Sequence, residues 1–383
     1  MKDIKKILDE RILILDGAMG TLIQKEDLSE DDFRGERFSN HSVPLMGNND
    51  ILSLSRPELI SKIHSQYLHA GADIIETNTF NSNCISQVDY GTEDLVYELN
   101  KRGAELAVKV AGEFTAKTPS KPRFVAGVIG PTNRTASISP EVNKPEYRNI
   151  TFDELVDDYM IGVQGLIDGG VDIILVETVF DALNCKAAVF AIAKVADSAN
   201  IKVPVMISMT ITDASGRTLT GQTPEAFLYS LQHTENLLSI GLNCGMGAKG
   251  LSQYLQDLSD ISPYYLSCHP NAGLPNEFGG YDQTATEMAS LVKSMALDGL
   301  INIAGGCCGT TPSHIEAICH ALEGIFSRQV KKKDNCLYLS GLESLCVSDE
   351  SNFINLANIL DPATFVRSPI LIKLLSSLTQ RDS

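Results

Sequence analysis

The chain has 383 residues, 43% of them hydrophobic, and a formal charge of −17: enough apolar mass for a large core, and the wrong sign for nucleic acid or an anionic membrane surface. No apolar run approaches the roughly 20 residues of a membrane span, and MKDIKKILDERILILDGAMG is too interrupted by acids to read as a signal peptide. Nine scattered cysteines without an export signal point to a reducing cytoplasm, where clustered thiols serve metals or catalysis rather than disulfides.

In chain order, RILILDGAMG (11–20) reads as a strand, followed by the helical spacing of RPELISKIHSQYLHAG (56–71). GADIIETNTF (71–80) and EDLVYELNKRGAELAVKVAG (93–112) repeat the pair, as do RFVAGVIGPT (123–132) and DELVDDYMIGVQGLIDGG (153–170). VDIILVETVF (171–180) precedes LNCKAAVFAIAKVA (183–196), and VPVMISMTIT (203–212) precedes PEAFLYSLQH (224–233). LSIGLNCG (238–245), YYLSCHPNAG (264–273) and GLINIAGGCC (299–308) each lead into a helical pattern, the last being PSHIEAICHALEGIF (312–326). Ser55, Thr223 and Thr311, each just before a proline-started pattern, are the expected helix caps.

Eight strand-then-helix units with strands apolar on both faces predict a closed parallel (β/α)8 barrel over residues 1–330. A doubly wound sheet has no reason to stop at eight. GLNCGMGAKG lacks the spacing and the Lys-Ser/Thr ending of a phosphate loop. SRQVKKKDN reads as a linker, and residues 331–383 are a short C-terminal extension, too short for a second full domain.

In such barrels the active site lies at the C-terminal strand ends. There the sequence places Asp16-Gly17, Glu76-Thr77, Glu177-Thr178, Asn243-Cys244-Gly245, His269-Pro270-Asn271 and Gly306-Cys307-Cys308-Gly309. Adjacent residues of a strand point to opposite faces, so Cys307 and Cys308 converge on one metal only if the flanking glycines turn the backbone. Cys244, at the end of another even-numbered strand, completes a trio. Three thiolates around zinc leave a fourth position open, which marks a catalytic rather than a structural site. A vicinal disulfide is the alternative for the pair. Cys84, Cys185, Cys268, Cys319, Cys336 and Cys346 each stand alone and read as small buried hydrophobes. His269 is read as a positioning or structural residue that leaves the open position to substrate; His64, His69 and His320 fall in ordinary helical positions. An anionic three-thiolate site is a poor activator of water but suits alkyl transfer to a bound thiol. Two carboxylates at the same mouth, Asp16 and Glu177, suit a positive amino group, so the substrate should carry a thiol and an amino acid head.

DGAMGT (16–21), GADIIETNTFNS (71–82), VETVFDALN (176–184), GLNCG (241–245) and GGCCGT (305–310) resemble the homocysteine S-methyltransferase family. GNNDILSLSRPELISKIHSQYLHAGADIIETNTFNS (47–82) is similar, more narrowly, to the N-terminal homocysteine module of cobalamin-dependent methionine synthase. The resemblance spans residues 8–350 and implies a zinc-bearing barrel that converts homocysteine to methionine. Carried over, Cys244, Cys307 and Cys308 match the zinc ligands, Asp16 and Gly17 the motif holding the amino acid end, and Glu177 the glutamate meeting its amino group. Asn243 is expected to support the site, and Glu76 and Thr77 match a motif at the mouth. LYLSGLESLCVSDESNFIN (337–355) resembles the passage into a folate-binding barrel, but FINLANILDPATF (353–365) stands where a VNVGERTN-like strand would open it. The D-x-H-x-x-G cobalamin motif is absent. The resemblance therefore implies methylcobalamin on a separate corrinoid- and folate-binding protein or domain as the methyl donor. A stand-alone enzyme using S-methylmethionine or betaine, and a donor-less fragment that only binds zinc and homocysteine, are the alternatives.

Overall fold

A computed structural model describes residues 3–333, 336–348 and 351. Eight parallel strands run β1 (Leu13–Ile14), β2 (Ile74–Glu76), β3 (Phe124–Ile129), β4 (Ile173–Val179), β5 (Val205–Met209), β6 (Leu237–Gly247), β7 (Tyr265–Asn271) and β8 (Ile303–Ala304). They pair in the order β1-β8-β7-β6-β5-β4-β3-β2, and a parallel bridge between Leu15 and Ile74 brings β1 back to β2. The expected (β/α)8 barrel is the fold. At this seam Arg11 donates to both oxygens of the fully buried Asp73 (2.8 and 2.9 Å), which also accepts from Ile14 N.

Helices follow the strands: α1 (Pro57–His69), α2 (Val96–Lys117), α3 (Phe152–Asp168), α4 (Ala182–Ala199), α5 (Pro224–Leu231), α6 (Ala248–Ile261), α7 (Ala285–Leu297) and α8 (Pro312–Leu322). Because strand side chains alternate, one set of residues fills the barrel: Leu13 and Leu15, Ile74, Phe124 with Ala126 and Val128, Ile173 with Leu175, Met206, Leu238 and Ile303. Ile4 and Leu8 of the helix Ile4–Glu10 join this cluster and plug its N-terminal end.

Of the expected caps, Thr223 accepts from Ala226 N as such a residue should. Ser55 instead ends the preceding short helix and bonds Ile51 O, while Thr311 turns its hydroxyl to Ser313 and His314. Proline at the first position already lacks an N–H, so these two starts need less capping.

The chain divides into two compact units, Met1–Lys333 with Ser340–Ser344, and Asp334–Leu339 with Leu345–Ser383. In the first, Thr223 N donates to Leu342 O (3.1 Å). Strands β9 (Leu337–Ser340) and β10 (Ser344–Val347) form a two-stranded sheet. The FINLANILDPATF segment lies outside the described residues. Among those described, no helix is long and apolar enough to cross a membrane.

Candidate active site

β8 ends at Ala304, before the cysteine pair, so the pair is free of strand alternation. Gly305, Gly306 and Cys307 donate to Cys268 O, Asp16 O and Pro270 O, pinning this segment between β1 and β7. Thr310 N then closes a turn on Cys307 O (3.1 Å), with Gly309 at φ +80° in its third position, where a type II turn demands glycine. On β6 the backbone breaks at the same height. Cys244 and Gly245 have φ of +56° and +55°, and the pairing register with β7 shifts between Asn243 and Gly247.

The result is a triangle of thiols. Cys308 Sγ lies 3.9 Å from both Cys244 Sγ and Cys307 Sγ, and all three ligand atoms fall within 4.8 Å of one another. All three are free thiols. A tetrahedral zinc with S at about 2.3 Å sets its sulfurs about 3.8 Å apart, so this donor set has the dimensions of such a site. Thiols of Cys307 and Cys308 donating to Cys244 hold it far below the usual thiol range. The same interaction pushes Cys308 up to about 11 and raises Cys307 well above the usual thiol range.

Beside the thiols lies a buried acidic pocket. Asp16 Oδ2 accepts from Glu76 N (3.1 Å), while Asp16 Oδ1 and Glu76 Oε1 are buried without a partner. Burial first, and then the charge of Glu177, pushes both carboxyls well above their ordinary range. Glu177 Oε2 lies 3.2 Å from His269 Nε2 and 3.3 Å from Asn243 Nδ2. Among the described residues no lysine or arginine pairs with any of the three acids.

Gly17 is required by close approach: a Cβ there would meet Thr310 Oγ1 at 2.7 Å and the Tyr67 ring at 2.9 Å. That contact, with Ala18 N donating to Thr310 Oγ1 (3.1 Å), locks the first strand end onto the cysteine turn.

The homocysteine S-methyltransferase model matches residues 13–322. The chain belongs to that family. Homocysteine S-methyltransferases methylate homocysteine, which fixes the acceptor class and the enzyme class. Two solved structures of the homocysteine methyltransferase MmuM from Escherichia coli share the fold. The oxidized form matches with a TM-score of 0.65 at 21% identity, covering 84% of this chain and 99% of that one. The metallated form matches at 0.64 and 21% identity, covering 83% and 98%.

Within this family member the structure gathers Asp16, Glu76, Glu177, Asn243 and the three cysteines at one mouth. Thr77 stands apart: its hydroxyl is taken up by Val128 N (2.9 Å) and Thr79 Oγ1 (2.6 Å), tying β2 to β3. Three residues that sequence reasoning gave no role there join the site. Thr178 bonds the Asn243 amide, Asn271 reaches Cys244, and Tyr281 turns its hydroxyl toward Cys308. Asn271 carried a signal, a polar residue ending an apolar strand. Tyr281 sits in an aperiodic loop and carried none.

Proposed function

We propose that this chain methylates the sulfur of homocysteine to give methionine, with zinc on Cys244, Cys307 and Cys308 and the substrate ammonium among Asp16, Glu76 and Glu177. The observation carrying this reading is Asn243 Nδ2, 3.3 Å from Glu177 Oε2 and 3.9 Å from Cys307 Sγ: acidic pocket and thiol trio adjoin within reach of one small amino acid. Zinc at the trio would supply the charge that lets a thiol bind as a nucleophilic thiolate at neutral pH. The partnerless oxygens of Asp16 and Glu76 would accept from the ammonium N–H groups and regain the hydrogen bonds that burial denies them. His269, its Nε2 proton assigned by the neighbouring carboxylate, holds Glu177 in place. Gly17, without a side chain, leaves the first strand end close against the cysteine turn. In the transfer the sulfur's electron pair forms the S–C bond, and the pair of the breaking methyl–donor bond stays with the donor. The thiol proton leaves to solvent.

The donor proposed is methylcobalamin carried by a separate domain or protein, as for the N-terminal module of a cobalamin-dependent methionine synthase. A cavity of about 450 Å³ at the junction of β6 and α6, lined by Met246, Lys249, Gln253, Tyr254, Leu274 and Gln283 among others, favours this over a cationic donor: its lining has a lysine, no carboxylate and a single aromatic, Tyr254, which alone makes no cage. S-Methylmethionine and betaine carry sulfonium or quaternary ammonium cations, for which aromatic cages are the ordinary partners. The test gives zinc-loaded protein and homocysteine free methylcobalamin, S-methylmethionine or betaine in turn, and measures methionine. Methionine from methylcobalamin alone is expected. Methionine from either onium donor overturns the donor assignment, and none from any donor despite bound homocysteine marks a binding-only protein.

A further inference from the structure

Among the described residues five non-glycines have positive φ: Asp27, Thr178, Asn200, Asn236 and Cys244. Asp and Asn tolerate the left-handed region; a β-branched residue there is a true outlier. Thr178, at φ +56°, is the one β-branched member of the set.

Its position in the sheet explains what the conformation does. Val176 pairs with Ile207 and Val179 with Met209, so Glu177 and Thr178 together stand opposite Ser208 alone. That is one extra residue on β4, a bulge, the device by which strands re-aim side chains beside active sites. Glu177 continues the interior face of Ile173 and Leu175. In a regular strand the next residue would turn outward. Here Thr178 also faces the mouth: its N–H donates to Asn243 Oδ1 (3.0 Å) and its Oγ1 accepts from Asn243 Nδ2 (2.8 Å). Ser208 Oγ donates to the same Oδ1 (2.7 Å), and Thr210 Oγ1 donates to Asn243 O (2.8 Å). Asn243 is thus fixed from β5 and clamps Thr178 at both its polar groups.

We propose that Thr178 is a positioning residue for substrate recognition: its left-handed bulge, clamped by Asn243, aims the Glu177 carboxylate at the ammonium of the bound amino acid. This rests on the ammonium-pocket reading above. Loss of the Thr178 contact should be felt at the ammonium end: Cys307 and Cys308 lie on the segment pinned through Gly305, Gly306 and Cys307 to β1 and β7, and Asn243, which precedes Cys244, keeps its bonds from Ser208 and Thr210.

The test is calorimetric binding to zinc-loaded protein of homocysteine and of 4-mercaptobutyrate, which is homocysteine without its amino group. Wild type should prefer homocysteine. Thr178→Val keeps the side-chain shape and loses the Oγ1 acceptor; it should weaken homocysteine about tenfold and leave 4-mercaptobutyrate and zinc content unchanged. Thr178→Ser restores the acceptor and should recover homocysteine affinity. Circular dichroism and zinc content establish that each variant is folded. A Thr178→Val protein that discriminates as wild type does, or loses both ligands equally, overturns the proposal while leaving the pocket reading intact. A wild type that binds both ligands equally overturns the pocket reading and this proposal with it.

Discussion

Three sulfur atoms with no bond among them, at the barrel mouth and outside the apolar interior, can lose one member without costing the barrel its core. Cys308→Ala should therefore keep the far-UV spectrum and lose zinc affinity by more than the roughly 10–100-fold that a supporting residue costs. Cys319→Ala, whose sulfur sits against Gly71 far from the trio, should retain about one zinc per chain. Zinc content by emission spectroscopy after dialysis checks both, and a Cys308→Ala protein with full zinc sinks the ligand set. The trio was legible in the sequence because residue type, flanking glycine and strand-end position coincide in GLNCG and GGCCGT. Thr178 was not. Its importance comes from a one-residue slip between β4 and β5, and nothing in VETVF marks which residue is the extra one.

At the scale of elements, periodicity carried the fold: each apolar run became a barrel strand and each three-four pattern a helix, with ends displaced by a few residues. The two ordered strand residues of β8 are far fewer than the run GLINIAGGCC suggests, because Gly305 onward leaves the ladder to build the turn. That turn can be tested against a built-in control. Gly309 and Gly299 both have positive φ, +80° and +69°, so alanine at either carries a backbone penalty of about 1 kcal/mol or more. A Cβ at Gly299 meets nothing within 4 Å, whereas one at Gly309 meets Tyr281 Cβ at 2.3 Å. Gly299→Ala should lower the melting temperature modestly and keep its zinc. Gly309→Ala should lose more stability, and zinc as well, since the Cys307–Thr310 turn must shift. Equal zinc content in the two variants would show that the turn does not set the sulfur positions.

For the whole molecule, acid stability is a balance between buried groups of opposite sign. Asp50, buried and accepting from Asn81 N and Ser82 Oγ, is pushed by desolvation from 3.8 to about 7. Between those values the native state holds a proton that the unfolded chain has lost, so Asp50 makes stability fall as pH rises from about 4 to 7. His64 works the other way. Buried with neither ring nitrogen bonded, it is pulled from 6.5 to about 4, so the unfolded chain takes up the proton first and stability falls as pH drops through that window. At roughly 1.4 kcal/mol per unit, each contributes a few kcal/mol across its own range. Asp16 and Glu76, also raised by burial, add to the Asp50 side in the ligand-free protein. Comparing variants with wild type at each pH removes those shared contributions. Asp50→Asn keeps an acceptor oxygen for Asn81 N and Ser82 Oγ and discards the buried charge. Its melting temperature should exceed that of wild type at pH 8 and approach or fall below it at pH 4.5. His64→Leu should show the reverse trend, its advantage growing as the pH is lowered from 7 to 4.5. Melting curves of all three proteins at both ends of the range decide the matter, and an Asp50→Asn difference that is the same at pH 4.5 and pH 8 would mean that Asp50 does not titrate in the folded state.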